Sequence, residues 1–261
     1  MAEEHYLLDN QQTQAGQRFG ALAELFNPST FRHMRAVGLS PGWRVWEVGA
    51  GGASVPEWIA EQTHGHVLVT DIDTSWLDRQ GGEFEVKKHD IGTDPAPDDG
   101  FDLVHARLVL VHVPERLDAL TTMIKALKPG GWVLLEEADP GLQPLVCPDE
   151  YGAEQELANK LKMAFRSLMA DRGVDLSFGR KLPRLLRSAG LVDVQSDSFF
   201  PMGGSACNEL ERATVEQIRG RLIAADLATD DEIEQHLSNV ATGRLDLATS
   251  PMVSAWARKP E

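Results

Sequence analysis

Five short β-type runs recur between residues 45 and 139: VWEV, HVLVTD, FEVKKHD, FDLVHA and WVLLEEAD. Between them lie stretches whose apolar residues repeat at helix spacing. In PERLDALTTMIKALK, Leu117, Leu120, Ile124 and Leu127 form one stripe. Strand and helix in strict alternation require right-handed crossovers, and these build a mostly parallel sheet with helices on its faces. The fold class is therefore α/β.

The flanks are helical in pattern. AGQRFGALAELF carries Phe19, Leu22, Ala23 and Phe26 at helix spacing. Asn27-Pro28-Ser29 predicts a break, with Ser29 capping a second helix, TFRHMRAVG. Ser54-Val55-Pro56-Glu57 predicts a capping box at the start of the helix after the first strand. After residue 140, EQELANKLKMAFRSLMADRG and RKLPRLLRSAG read as helices, LVDVQSDSFF as a strand, residues 209–239 as helical and VSAWAR as a final strand.

The turn after the first strand is VWEVGAGGAS, with three glycines in four positions. Such a loop lets backbone approach a ligand closely. A P-loop needs Lys after its last glycine, and none follows. A dinucleotide loop needs G-x-G-x-x-G/A; Gly49 and Gly51 fit, with Ala50 between them, but Ser54 takes the third place. Glu47 weighs more. A carboxylate two residues before Gly49 opposes an incoming pyrophosphate by several kcal/mol, about 4 at 4 Å and an effective dielectric of 20. The same carboxylate suits an ammonium.

S-adenosylmethionine has an ammonium, a sulfonium and no phosphate. Asp71 ends the second strand 22 residues after Gly49, roughly the 20 at which an acid meets ribose hydroxyls. Asp73, beyond Ile72, is the alternative. Asp90 and Ile91 after the third strand suit adenine, the acid accepting from its amino group and Ile91 packing on the ring.

VWEVGAGGAS, VLVTDID, HDI, FDLVHARLVLVHVPE and LKPGGWVLLEE, in that order over residues 40–139, resemble the successive motifs of class I S-adenosylmethionine-dependent methyltransferases. The resemblance implies a Rossmann-like sheet of seven strands, the last antiparallel, with the cofactor across the carboxyl ends of the first strands. It assigns Glu47, Gly49, Gly51, Asp71, Asp90 and the Ala106-Arg107 segment to the cofactor. This sequence departs from the family pattern in having Ala53 at the third glycine position and a doubled acid after the second strand. The expected organisation is a helical cap over residues 1–39 and a methyltransferase domain over 40–261, with helical insertions at about 140–175 and 205–245.

Methyl transfer is an in-line displacement on an activated cofactor, so alignment dominates and a base serves only an acceptor that must lose a proton. His112, His105, Glu137 and Asp139 are the candidates, with His112 and Glu137 foremost. Glu136 and Glu137 alternate faces on the fifth strand, so only one meets the cleft. His64 and His66 lack a carboxylate at metal-site spacing, and no metal is expected.

Large apolar residues outside the motifs (Phe19, Phe26, Phe31, Met34, Met163, Phe165, Phe199, Phe200 and Met202) are candidates to surround a small hydrophobic acceptor. The net charge of −15 disfavours nucleic acid and anionic membrane. No apolar run is long enough to span a bilayer. The polar N-terminus is unlike a targeting peptide, and Cys147 and Cys207 have no paired spacing, so a cytoplasmic protein is expected, with homo-oligomerisation left open. Two other functions stay in view: a methyltransferase-fold protein acting as a cyclase or binding module, and a nicotinamide-dependent oxidoreductase, which Glu47 and Ser54 count against.

Overall fold

The structure, a computed structural model, describes Leu7, Leu8 and residues 13–261. The parallel strands are β1 (Val45–Val48), β2 (Val67–Asp71), β3 (Glu85–Lys88), β4 (Phe101–Arg107) and β5 (Leu127–Ala138). With β6 (Val192–Phe199) and β7 (Met252–Arg258) they form a seven-stranded sheet ordered β3-β2-β1-β4-β5-β7-β6. Only β7 runs antiparallel, to both β5 and β6. From β1 the chain adds β2 on one side and later β4 on the other. The β1/β4 boundary is thus the topological switch point, where open α/β sheets leave a crevice at the strands' carboxyl ends.

Between the strands lie α2 (Ser54–Thr63), α3 (Ser75–Gln80) and α4 (Arg116–Ala126). β1 and β2 are buried along their whole length, as a central parallel strand covered on both faces must be. One face of the sheet carries a core of Val45, Val67, Val69, Leu103, Leu134 and Trp256, packed with Met34, Val37 and Ile59, and the opposite face buries Trp46, Leu68, Val104, Val133 and Leu135.

The chain divides into two compact units. The sheet unit comprises Asn27–Ala138, Ser177–Phe199 and Met252–Glu261. The helical unit comprises the described residues up to Phe26, Asp139–Leu176 and Phe200–Pro251. Within the helical unit, α5 (Ala153–Ala170), α7 (Ser205–Ala224) and α8 (Asp230–Ala241) pack through Leu161, Ala164, Leu168, Ile218, Leu222 and Ile233. The sheet unit also holds the short α6 (Leu182–Ser188).

Three local expectations differ from the structure. The N-terminal segment is one helix, α1 (Thr13–Ala36), that continues through Pro28. Proline removes one backbone hydrogen bond, and here both halves bury an apolar face, Ala21 and Phe26 before it and Met34 after it. Burial outweighs the missing bond. The capping box at Ser54 does not form: Ala53 is the N-cap, and Ser54 Oγ accepts from Asn27 Nδ2 at 3.1 Å. The Ala53 amide is taken by Gln80 Oε1 at 2.9 Å, so the junction is closed from α3 and not by its own serine. The helical stretch expected at 209–239 is two helices. The second starts at a capping box of Thr229 and Glu232, a T-x-x-E signal that periodicity alone passes over.

Candidate cofactor site

The period of two in a strand places Val45 and Glu47 on one face, with Leu103, His105 and Arg107 beside them on β4 and Leu134 and Glu136 on β5. Register completes the pattern. Glu47 pairs with His105, Arg107 with Glu136, Glu136 with Ser254, and Ser254 with Asp197. The apolar ends of these strands form the core just described, and the next step toward the carboxyl ends is a polar row across five strands.

Almost all of this row is buried. Glu47, His105, Glu136 and Ser254 are each at most 2% exposed, as are Thr30 and His33 on α1, which reach it from above. Glu47 Oε2 lies 2.6 Å from His105 Nδ1, and His105 Nε2 lies 3.4 Å from Glu136 Oε2. Glu136 Oε1 meets His33 Nδ1 at 3.1 Å and accepts from Ser254 Oγ at 2.7 Å, while Thr30 Oγ1 donates to its other oxygen. His33 Nε2 reaches Asp197 Oδ1 at 2.9 Å, and Asp197 pairs with Arg32 at the surface. Arg107 donates to Thr30 Oγ1 at 3.0 Å.

Burial works against charge in this row, but opposite partners outweigh it. Desolvation would lower His105, yet Glu47 and Glu136 carry it up to about 9. Burial would raise Glu136, yet His105 and His33 hold it well below the usual carboxylate range. His33 is raised in the same way, Glu136 and Asp197 prevailing over desolvation.

The glycine loop follows β1 directly, beginning two residues after Glu47. Gly49 and Gly51 both have positive φ, 62° and 64°, the left-handed region that glycine enters freely. The Gly49 amide donates to Thr70 O at 2.7 Å, and a methyl group at Gly49 would overlap Val109 Cγ2. Val109 is held there by a left-handed residue before it, Leu108 at φ 59°, whose amide donates to Glu136 O at 2.8 Å.

Asp71, 6% exposed, anchors the other wall. Its Oδ2 accepts from the Gly51 amide at 2.8 Å and its Oδ1 from the Asp73 amide at 3.0 Å. Burial raises its pKa against the pull of those two amides. Asp73 Oδ1 accepts from the amide of Ser75, the first residue of α3, at 3.0 Å. Ile72 between them is 47% exposed, an apolar surface at the strand end. Asp90 is half-buried and accepts from Gly92 N at 2.9 Å, whereas Ile91 is 7% exposed. Ala106 is fully buried in β4.

The two residues expected to handle a proton lie apart in character. Glu137 points to the opposite face of the sheet from Glu136. Its Oε1 accepts from the amides of Leu110 at 2.7 Å and Val109 at 3.2 Å, and it is closed to solvent. Burial pushes its carboxyl up to about 8 against those amides. Those contacts describe an anchor for the loop after β4, with no opening toward a substrate. His112 ends the 3-10 turn Leu110–His112 and is half-buried. Several large apolar residues proposed to surround an acceptor are core instead. Phe26 and Met34 are 3% and 0% exposed, Phe165 packs against the helical unit's cluster, and Phe31 stacks on Trp58 at 4.0 Å. Helical spacing reports a buried face before it reports a pocket. Among the described residues no cluster of His, Cys, Asp or Glu has the grouping of a metal site.

A profile of the methyltransferase domain matches residues 14–196, about seven-tenths of the chain. The chain belongs to the class I S-adenosylmethionine-dependent methyltransferases. Phosphoethanolamine N-methyltransferase 1 of Arabidopsis thaliana is 28% identical over 202 residues, covering 72% of this chain and 37% of that protein. The ubiquinone/menaquinone biosynthesis C-methyltransferase UbiE of Vibrio parahaemolyticus is 32% identical over 124 residues, covering 41% of this chain and 46% of that protein. The chain spans just over a third of the plant enzyme's length. Among solved structures, Haemonchus contortus phosphoethanolamine N-methyltransferase 2, in complex with phosphomonomethylethanolamine and S-adenosylhomocysteine, has a TM-score of 0.60 at 17% identity, covering 98% of this chain and 60% of that one. The YcgJ protein of Bacillus subtilis has a TM-score of 0.58 at 15% identity, covering 90% and 99%. These structures share the fold of this methyltransferase.

The polar row is the part that motif reading passed over. His105 and Glu136 stand out as titratable groups on adjacent strands, but nothing local announces His33, Thr30 or Ser254. A period-two reading of β1, β4 and β5 together would have placed Glu47, His105 and Glu136 on one face.

Proposed function

We propose that this chain binds S-adenosylmethionine at the carboxyl ends of β1 to β4 and transfers its methyl group to a small organic acceptor. The observation that carries the reading is the set of acceptors at that edge. Asp71 accepts from the Gly51 amide of a loop opened by two positive-φ glycines, Glu47 stands two residues before that loop, Asp73 and Asp90 follow the ends of β2 and β3, and no lysine follows the loop to meet a phosphate. Such a set fits hydroxyls, an amine and a cation, and it disfavours a pyrophosphate.

In this reading Asp71, with Asp73 beside it, accepts from the ribose hydroxyls, and its bond to Gly51 fixes loop and carboxylate as one unit. Ile72 offers the exposed apolar surface for the nucleoside, with Asp90 and Ile91 at the adenine. Glu47 meets the ammonium. Gly49, Ala50 and Gly51 let backbone come close, and Ala106 and Arg107 form the wall on β4. When bound, the cofactor supplies an activated methyl on a sulfonium, so the chain's work is to align, exclude water and accept a proton where the acceptor carries one. His112 is the residue we assign to that last task; Glu137 instead holds the β4 loop.

The acceptor we propose is small and in part apolar. The acidic chain repels polyanions, and the helical unit leaves Leu142, Met163 and Met202 exposed at 51%, 57% and 61%. Among the described residues no helix is long and apolar enough to cross a membrane.

Calorimetric titration tests the reading. S-adenosylmethionine and S-adenosylhomocysteine are expected to bind, and Asp71→Ala to weaken both by about 10- to 100-fold, the loss of one charge-assisted hydrogen bond. Absence of heat with both ligands, or unchanged affinity in the variant, would overturn it.

A further inference from the structure

His105 has a carboxylate on each ring nitrogen, Glu47 at 2.6 Å and Glu136 at 3.4 Å, and is wholly buried. His33 also lies between two carboxylates, Glu136 and Asp197, but its Nε2 is in addition 3.0 Å from Arg32 Nη2. A neutral imidazole has one N–H and one lone pair, so between two carboxylates it sets a lone pair against an oxygen. The doubly protonated ring turns both contacts into charge-assisted hydrogen bonds. Geometry therefore favours a doubly protonated His105 between Glu47 and Glu136.

The surrounding charges are all placed. Arg107, on the same strand as His105, donates to Thr30. Arg32 on α1 pairs with Asp197 of β6, and Asp71 on β2 is held by the amides of Gly51 and Asp73. Arg32 Nη2 also lies 3.0 Å from His33 Nε2, β7 contributes the neutral Ser254 and β6 the neutral Gln195, and Val45, Val69, Leu103 and Leu134 on this face are apolar. Glu47, then, is already matched by a cation from below.

Resting on the reading that Glu47 meets the cofactor's ammonium, we propose that this ammonium and the second proton of His105 compete for Glu47, so that cofactor binding and discharge of His105 are linked. Two cations flanking one enclosed carboxylate weaken each other, and linkage makes the effect reciprocal: the ligand loosens the proton as the proton loosens the ligand. His105 is thereby a positioning residue that sets how strongly Glu47 attracts a cation, and through His33 the row ties this property to α1.

The test is an imidazole nitrogen titration by NMR on the intact chain, free, saturated with S-adenosylhomocysteine, and saturated with 5′-methylthioadenosine, which has the nucleoside and no ammonium. Free His105 is expected to titrate near 9. Its midpoint should fall by about one unit with S-adenosylhomocysteine, equivalent to a tenfold change in proton affinity, and stay in place with methylthioadenosine. Glu47→Gln should abolish the difference between the two ligands; His33, one carboxylate further away, should move much less than His105. An unmoved His105 midpoint while the Gly49 and Gly51 amides respond to S-adenosylhomocysteine would overturn the linkage alone, as would an equal fall with methylthioadenosine. Silent Gly49 and Gly51 amides would overturn the cofactor reading and the linkage with it.

Discussion

Gly49→Ala should damage the site through two separable costs. At φ 62° an alanine sits in the left-handed region, which costs about 1–2 kcal/mol. Its methyl would also overlap Val109 Cγ2, and overpacking of that kind costs about 1–3 kcal/mol. The single variant should therefore lose about 2–5 kcal/mol. Val109→Ala alone removes two half-buried methyl groups, worth about 1 kcal/mol. In the double variant the overlap is gone and the backbone cost remains, so the two changes should be strongly non-additive, with a coupling of about 1–3 kcal/mol. Urea denaturation followed by tryptophan fluorescence and by circular dichroism, with coincident transitions required, measures all four corners of the cycle. A Gly49→Ala loss below about 0.5 kcal/mol, or additive costs in the double variant, would refute the close approach of loop and β4 on which the site depends.

Other consequences concern buried charge. Glu137, with its pKa raised from 4.5 to about 8, binds its proton more tightly in the native state than unfolded. Stability should fall as pH rises through that window, at up to about 1.4 kcal/mol per unit. Glu137→Gln keeps an acceptor for the amides of Val109 and Leu110 and should flatten that slope, read from urea midpoints at pH 5 and pH 8. Glu136→Ala strands His33 and His105 against each other and should cost about 3–5 kcal/mol. His105 has the same sign as Glu137 in a higher window: its contribution is complete below 6.5 and lost as pH rises through about 9. In the Glu137→Gln background, urea midpoints at pH 6 and 9.5 should separate, and the gap should narrow when His105 is also replaced by Asn. In the helical unit, Glu211 is buried with His236 Nε2 at 3.2 Å and Lys162 Nζ at 3.8 Å. Glu211→Ala should cost about 3–5 kcal/mol and speed amide exchange in α5, α7 and α8 together.

Much of the fold was legible in local pattern. Short apolar runs mark β1 and β4, and helix period marks α4 and α5, because burial is decided by residue type and spacing within a dozen residues. The glycine loop was readable for the same reason: a turn that needs positive φ at Gly49 and Gly51 leaves only glycine comfortable there. Asp71 and Asp90 follow from position, since the first ends β2 and the second lies two residues past β3, on the edge where a parallel sheet opens. Local rules misled where a longer-range partner outweighed them. Pro28 should break a helix, and buried faces on both sides carry α1 through it. Ser54 should cap α2, and Gln80 and Asn27 supply the contacts instead.

By itself the sequence determines which residues turn inward along each strand, because a strand's two faces are fixed by parity, and it determines that the loop after β1 admits a close ligand. Tertiary structure alone decides who meets whom on that inward face. His33 and Glu136 are separated by 103 residues and lie 3.1 Å apart, and Ser254 reaches the same carboxylate because β7 inserts between β5 and β6. The physical reason is that a buried charge takes its value from the groups that close around it, and those arrive from distant parts of the chain only when the sheet is complete.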